Sequence, residues 1–101
     1  MDAQCSFGVE EEFFVVDPVS RRVVAGAPEV QAVRPELVAK ELTRYQVEIA
    51  TEPCRTLAEL RADLTRRRSA LAAAAEQAGY LVLPSGTPPR WGLMCLLHSH
   101  V

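Results

Sequence analysis

Three consecutive glutamates, Glu10, Glu11 and Glu12, interrupt a stretch that otherwise has the make-up of a buried strand. Ser6-Phe7-Gly8-Val9 precede them and Phe13-Phe14-Val15-Val16 follow. Side chains of a strand alternate between its faces. Phe7, Val9, Glu11, Phe13 and Val15 therefore share one face, and Gly8, Glu10, Glu12, Phe14 and Val16 share the other. Ionised carboxylates are seldom buried without a counter-charge, hydrogen bonds or a metal, and two of them side by side on one face repel. The Glu10/Glu12 face thus calls either for solvent or for a cation. A hard divalent ion such as Mg²⁺ takes oxygen ligands of this kind and commonly shares them with phosphate. Gly8 is consistent with close approach by a ligand or by another backbone. Glu11 falls on the apolar face, where it needs a sheet edge or an arginine partner.

A second acid of the same kind lies in Tyr45-Gln46-Val47-Glu48-Ile49-Ala50, whose alternation is that of a half-buried strand. Tyr45, Val47 and Ile49 face one way, and Gln46, Glu48 and Ala50 the other. If this strand joins the sheet of residues 6–16, Glu10, Glu12 and Glu48 can floor one cation site. A further set of potential ligands closes the chain: Cys95, His98 and His100, the last two on a common face if the tail is extended. Zinc accepts these residue types, but no fourth ligand is evident and the spacing is not that of a finger. An irregular terminus, a zinc site and a phosphate- or metal-binding strand all remain open readings of the tail.

The elements that must hold these groups can be read from local signals. Residues 6–16 form a strand ended by Asp17-Pro18, with Arg22 to Ala25 as a short returning partner. Residues 29–34 suit either a short helix or an irregular link. Pro35 suits the first turn of a short helix reaching about Leu42. Thr56-Leu57-Ala58-Glu59 is a capping box, and it opens a helix over about 56–78. Leu57, Leu60, Leu64, Leu71, Ala74, Ala75 and Ala78 make its apolar stripe, and Gly79 stops it. Arg61, Arg66, Arg67 and Arg68 read as its solvated face. Tyr80-Leu81-Val82-Leu83 is a further strand, closed by Pro84-Ser85-Gly86, with a loop through Arg90 and no clear period from Trp91 onward. The expected class is α+β, an antiparallel sheet with one long amphipathic helix on one face.

The 101 residues are expected to form one domain. A hydrophobic share of 49%, a charged share of 24% and a net charge of −2 are ordinary for a globular chain and give no footprint for nucleic acid or an anionic membrane. No apolar run approaches the roughly 20 residues that span a bilayer, and Met1-Asp2-Ala3-Gln4-Cys5 has neither the basic nor the apolar part of a secretion signal. Cys5, Cys54 and Cys95, odd in number and scattered, suggest reduced thiols and a cytoplasmic location. No Ser-His-Asp arrangement or glycine-rich phosphate loop is present.

Gly8-Val9-Glu10-Glu11-Glu12-Phe13, Val16-Asp17-Pro18, Gln46-Val47-Glu48-Ile49-Ala50-Thr51 and Cys54-Arg55-Thr56-Leu57-Ala58-Glu59-Leu60-Arg61 occur in this order. Together they resemble the N-terminal segment of the type 2 glutamate–cysteine ligases, or carboxylate–amine ligases, of the glutamine synthetase-like superfamily. The likeness runs through Ser85-Gly86-Thr87. It implies an antiparallel active-site sheet with helices on its outer face, and Mg²⁺-dependent use of ATP. Glutamate would be phosphorylated at its γ-carboxyl and the acyl phosphate captured by an amine, typically that of cysteine. The resemblance makes Glu10, Glu12 and Glu48 the metal ligands. It makes His98 and His100 an altered form, with Ser99 between, of a His-Val-His motif that helps hold metal and ATP phosphates.

The tail motif comes sooner after Thr87 than in the family, whose members run to several times this length. The resemblance therefore implies a truncated, internally deleted or frame-disrupted N-terminal piece that does not catalyse alone, with Leu93 onward the stretch in question. Its partners would be small molecules: glutamate, cysteine or another amine, and ATP. Self-association is left open. A non-catalytic, partner-binding or assembly-dependent fragment and a small zinc-binding protein are the competing readings.

Overall fold

The computed structural model describes residues 2–39, 43–86 and 90–98. Its elements run β1 (Asp2–Val16), α1 (Ala27–Val33), β2 (Gln46–Ala50), α2 (Leu57–Ala78), β3 (Leu81–Pro84) and β4 (Arg90–His98). This is the expected α+β arrangement with an antiparallel sheet, and β1 is its organising strand. β2 lies along one edge of β1, from Glu10 to Phe14. β3 pairs with Phe13 to Val16 and β4 with Asp2 to Glu10. Glu10 pairs with both Ala50 and Arg90, and Phe13 with both Val47 and Pro84. β3 and β4 therefore follow one another along the edge of β1 opposite β2.

The core forms on the face predicted for Val9, Phe13 and Val15. These side chains are buried with Val47 and Ile49 of β2 and with Leu60, Leu71, Ala74 and Ala75 of α2. Val30 of α1 and Val38 join the main cluster, whereas Val9 and Leu60 form a smaller one with Cys54. Helix α2 begins and ends where its caps dictate. The Thr56 hydroxyl accepts from the Glu59 N–H at 3.1 Å, and the Glu59 carboxylate accepts from the Arg55 N–H at 2.9 Å. At the other end Gly79 adopts φ +91°, donating to the Glu76 carbonyl while Tyr80 N–H donates to the Ala75 carbonyl. That pairing satisfies two of the last free carbonyls and needs a left-handed residue. Gly26, before α1, answers a different need: a Cβ there would lie 2.6 Å from Cζ of Tyr80.

Several local expectations are corrected. Residues 35–37 form a turn rather than a helix, and Ala39 then pairs with Glu48 along the outer edge of β2. Tertiary pairing of the backbone overrides the proline start signal. Arg22 to Ala25 contributes only one isolated bridge, Val16 to Val23, in place of a strand. The undecided segment before Pro35 is α1, started by Pro28 in its first turn. The tail without a period is β4. Leu57 is 73% exposed, so the stripe of α2 starts at Leu60. Three reduced thiols were expected, but Cys5 is disulfide-bonded, and in the register Cys95 stands opposite it. Cys54 is free and buried.

Candidate functional site

The register decides how the acids meet. Glu12 is the pairing partner of Glu48. Thr51 N–H donates to the Val9 carbonyl and Val15 N–H to the Tyr45 carbonyl, both at 2.9 Å. The odd-numbered residues of β1 thus form the hydrogen-bonded pairs with β2, and Glu12 with Glu48 is a non-hydrogen-bonded pair. In such pairs the Cα atoms approach to about 4.5 Å and the side chains leave the sheet side by side. Glu10 follows on the same face two residues away, roughly 7 Å along the strand. The face is the one turned away from α2. Glu12 and Glu48 are half-buried and Glu10 is exposed.

Directly opposed like charges disfavour the pairing of their strands, so this juxtaposition suits a site that takes a cation. The donor chemistry fits Mg²⁺, being all carboxylate oxygen. Glu10, Glu12 and Glu48 each interact with other groups of the chain, and among the described residues no three acidic, histidine or cysteine side chains are already gathered as a metal cluster.

His98 is not brought near these acids. His98 pairs with Asp2, eight residues along β1 from Glu10, a backbone separation of roughly 27 Å. His100 lies outside the described residues.

Arg61, Arg66 and Arg68 are exposed as expected and Arg67 is half-buried, but the last three of the four also hold acids. Arg68 Nε and Nη2 donate to the two carboxylate oxygens of Glu11 at 2.8 and 2.9 Å. Glu11 is 8% exposed, on the core face. The hydrogen bond that Arg68 donates to Glu11, outweighing burial, holds the guanidinium above its already high pKa. Arg67 Nε donates to Asp63 at 2.9 Å and Arg66 Nη2 at 2.8 Å, and the backbone N–H of Glu52 donates to the same carboxylate at 3.0 Å. Burial raises the Asp63 pKa, but the Arg67 hydrogen bond, the Glu52 N–H and the Arg67 charge together prevail and hold it below the ordinary carboxylate value. Asp63 thereby fastens the segment leaving β2 to the helix.

The signal for the first pair was present in the sequence. Leu64, Arg68, Leu71 and Ala75 follow helical 4-3-4 spacing, so Arg68 occupies a slot of the apolar stripe, as Glu11 does on β1. Asp63 carried no comparable signal. Cys54, beside this segment, has its thiol pushed up by burial and by the charges of Asp63 and Glu59, which makes it a poor nucleophile.

The fold is an α+β antiparallel sheet with helices on its largely apolar face and Glu12 opposite Glu48 on the other. Residues 6–94 match the family model described as glutamate–cysteine ligase family 2, and the chain belongs to that family. Relatives include the "Putative glutamate--cysteine ligase 2" of Roseiflexus sp. (strain RS-1), 36% identical over 92 residues, which cover 87% of this chain and 24% of the relative. The "Putative glutamate--cysteine ligase 2-1" of Saccharopolyspora erythraea is 45% identical over 86 residues, covering 83% and 23%. The chain thus spans about a quarter of the length of the curated relatives it matches. No helix among the described residues is long and apolar enough to cross a membrane.

Proposed function

We propose that this chain forms one wall of the active site of an ATP-dependent carboxylate–amine ligase of the glutamate–cysteine type, built on a glutamine synthetase-like sheet. In that reaction the γ-carboxylate of glutamate attacks the γ-phosphorus of ATP, releasing ADP and forming γ-glutamyl phosphate. The amine of cysteine, or another amine, then displaces phosphate to form the amide and gives up a proton. Glu10, Glu12 and Glu48 are the residues that would hold Mg²⁺. Bound Mg²⁺ neutralises and orients phosphate oxygens. The task of the protein is otherwise positioning, since phosphoryl transfer asks for little covalent chemistry from side chains. β1 and β2 put Glu10, Glu12 and Glu48 on one face of the sheet, and the helix layer packs on the other. The observation that carries the reading is the pairing of Glu12 with Glu48 on the face away from α2, in a chain matched to the ligase family.

These 101 residues supply only this wall, so the isolated chain should bind the ion without turning over. Mn²⁺ serves as a spectroscopic stand-in. Electron paramagnetic resonance of the free ion should show one ion bound per chain. Glu12→Gln and Glu48→Gln should each weaken binding at least tenfold, and Glu29→Gln on α1 should leave it unchanged. Equal affinity in all four proteins would refute the ligand assignment. Mixing the chain with ATP, Mg²⁺, glutamate and cysteine should release no ADP, and steady turnover would show that the wall is already a complete site.

A further inference from the structure

The run Glu10-Glu11-Glu12 is ambiguous by itself. Any alternating pattern must put either Glu11 or its two neighbours against the helix, and a one-residue change in β1 exchanges the two sets. We propose that Arg68 is a positioning residue that selects Glu11 as the inward member of the run, and so sets Glu10 and Glu12 on the same face as Glu48. This rests on the ligase reading only for what the acid face is used for.

The geometry supports a selective contact. Both carboxylate oxygens of Glu11 are taken by one guanidinium, at 2.8 and 2.9 Å, across 57 residues of sequence. A two-point fork of this kind fixes the direction of the carboxylate as well as its distance. Arg68 sits one turn from Leu64 and one from Leu71, which pack against the core, so its backbone is held and the choice is imposed on β1. Immediate neighbours of Glu11 on its face are Val9 and Phe13, both buried. They favour the same alternation, and at the central three residues Arg68 adds the contact that distinguishes one glutamate from the next. The Glu11 side chain is buried whereas that of Arg68 is 48% exposed, so the pair adds little net stability and its main contribution is the direction its fork imposes.

The test reads the face directly and contains no metal. In a Glu12→Cys/Glu48→Cys background, the non-hydrogen-bonded pair brings the two Cα atoms within disulfide range. Oxidation followed by peptide mass mapping gives the cross-linking rate, and circular dichroism reports the fold. Adding Arg68→Ala should slow cross-linking at least tenfold, Arg68→Lys should slow it less, and the reversal Glu11→Arg with Arg68→Glu should restore it. Unchanged cross-linking in the Arg68→Ala protein would overturn the proposal. Where Arg68→Ala also loses its fold, the reversal decides: fold and cross-link recovered together support positioning, whereas a cooperative fold that fails to cross-link overturns it. Loss of Mn²⁺ binding specificity in the separate ion assay would strike the ligase reading and leave this result standing.

Discussion

Asp63 shows how much one side chain can hold. It is 7% exposed and accepts from two arginines and a backbone N–H. Its folded pKa lies below its ordinary value of 3.8, because the hydrogen bonds and the Arg67 charge outweigh burial. A carboxyl lowered in this way stabilises the fold fully above its unfolded pKa, and the contribution fades as pH falls through the lower folded value. The difference in urea stability between the parent and Asp63→Asn should therefore be constant from neutral pH to about 5 and shrink steadily below about 4. A difference that grew toward acid would mean that Asp63 is not the acceptor described. The Glu11–Arg68 pair works at the same scale, with the added effect on facing argued above.

At the scale of elements, α2 is the part whose bounds follow from chemistry at its two ends. Replacing Thr56 by Ala removes the only side-chain acceptor for the Glu59 N–H among the described residues, and should cost about 1 kcal/mol. Replacing Gly79 by Ala forces a Cβ onto a residue at φ +91° and should cost about 1 kcal/mol, although no atom lies within 4 Å of that Cβ. The two sites are more than twenty residues apart, so the losses should add. Denaturant midpoints of the single and double variants, at unchanged slope, provide the check. A double variant no weaker than either single one would show that the helix ends are not independent.

Viewed whole, the molecule is long for its size, with principal extents of 57 × 23 × 21 Å. The cause is β1. Its C-terminal half is covered by helices on one face and flanked by β2 and β3, whereas its N-terminal half is accompanied mainly by β4. β4 has its extensive contacts with β1 alone. Two-stranded ribbons are marginal in water without a packed face. Amide exchange should therefore be slowest for residues 11–16, 46–50 and 60–78. It should be faster by at least tenfold for residues 2–6 and 92–98, and reduction of the Cys5 disulfide should widen the gap. Uniform protection along β1 would contradict this division.

Much of the scaffold was legible because its determinants are local. The capping box and Gly79 bound α2 to within a residue, alternation marked β1 and β2, and four short motifs in order carried the family. The helix expected after Pro35 failed because pairing of Ala39 with Glu48, a contact remote in sequence, outweighed a local start signal. β4 was missed because its pairing partner lies at the other end of the chain.

The sequence by itself determined that three acids of one kind occur in two strands with apolar opposite faces, and that the chain has its family's order of motifs. Only the tertiary structure decided that Glu12 stands against Glu48 with Glu10 beside them, that Glu11 is claimed by Arg68, and that His98 lies at the far end of β1. Alternation fixes a side chain's face relative to its own strand. Register between strands, and the partner that breaks a tie among identical residues, are set by contacts that exist only once the chain has folded.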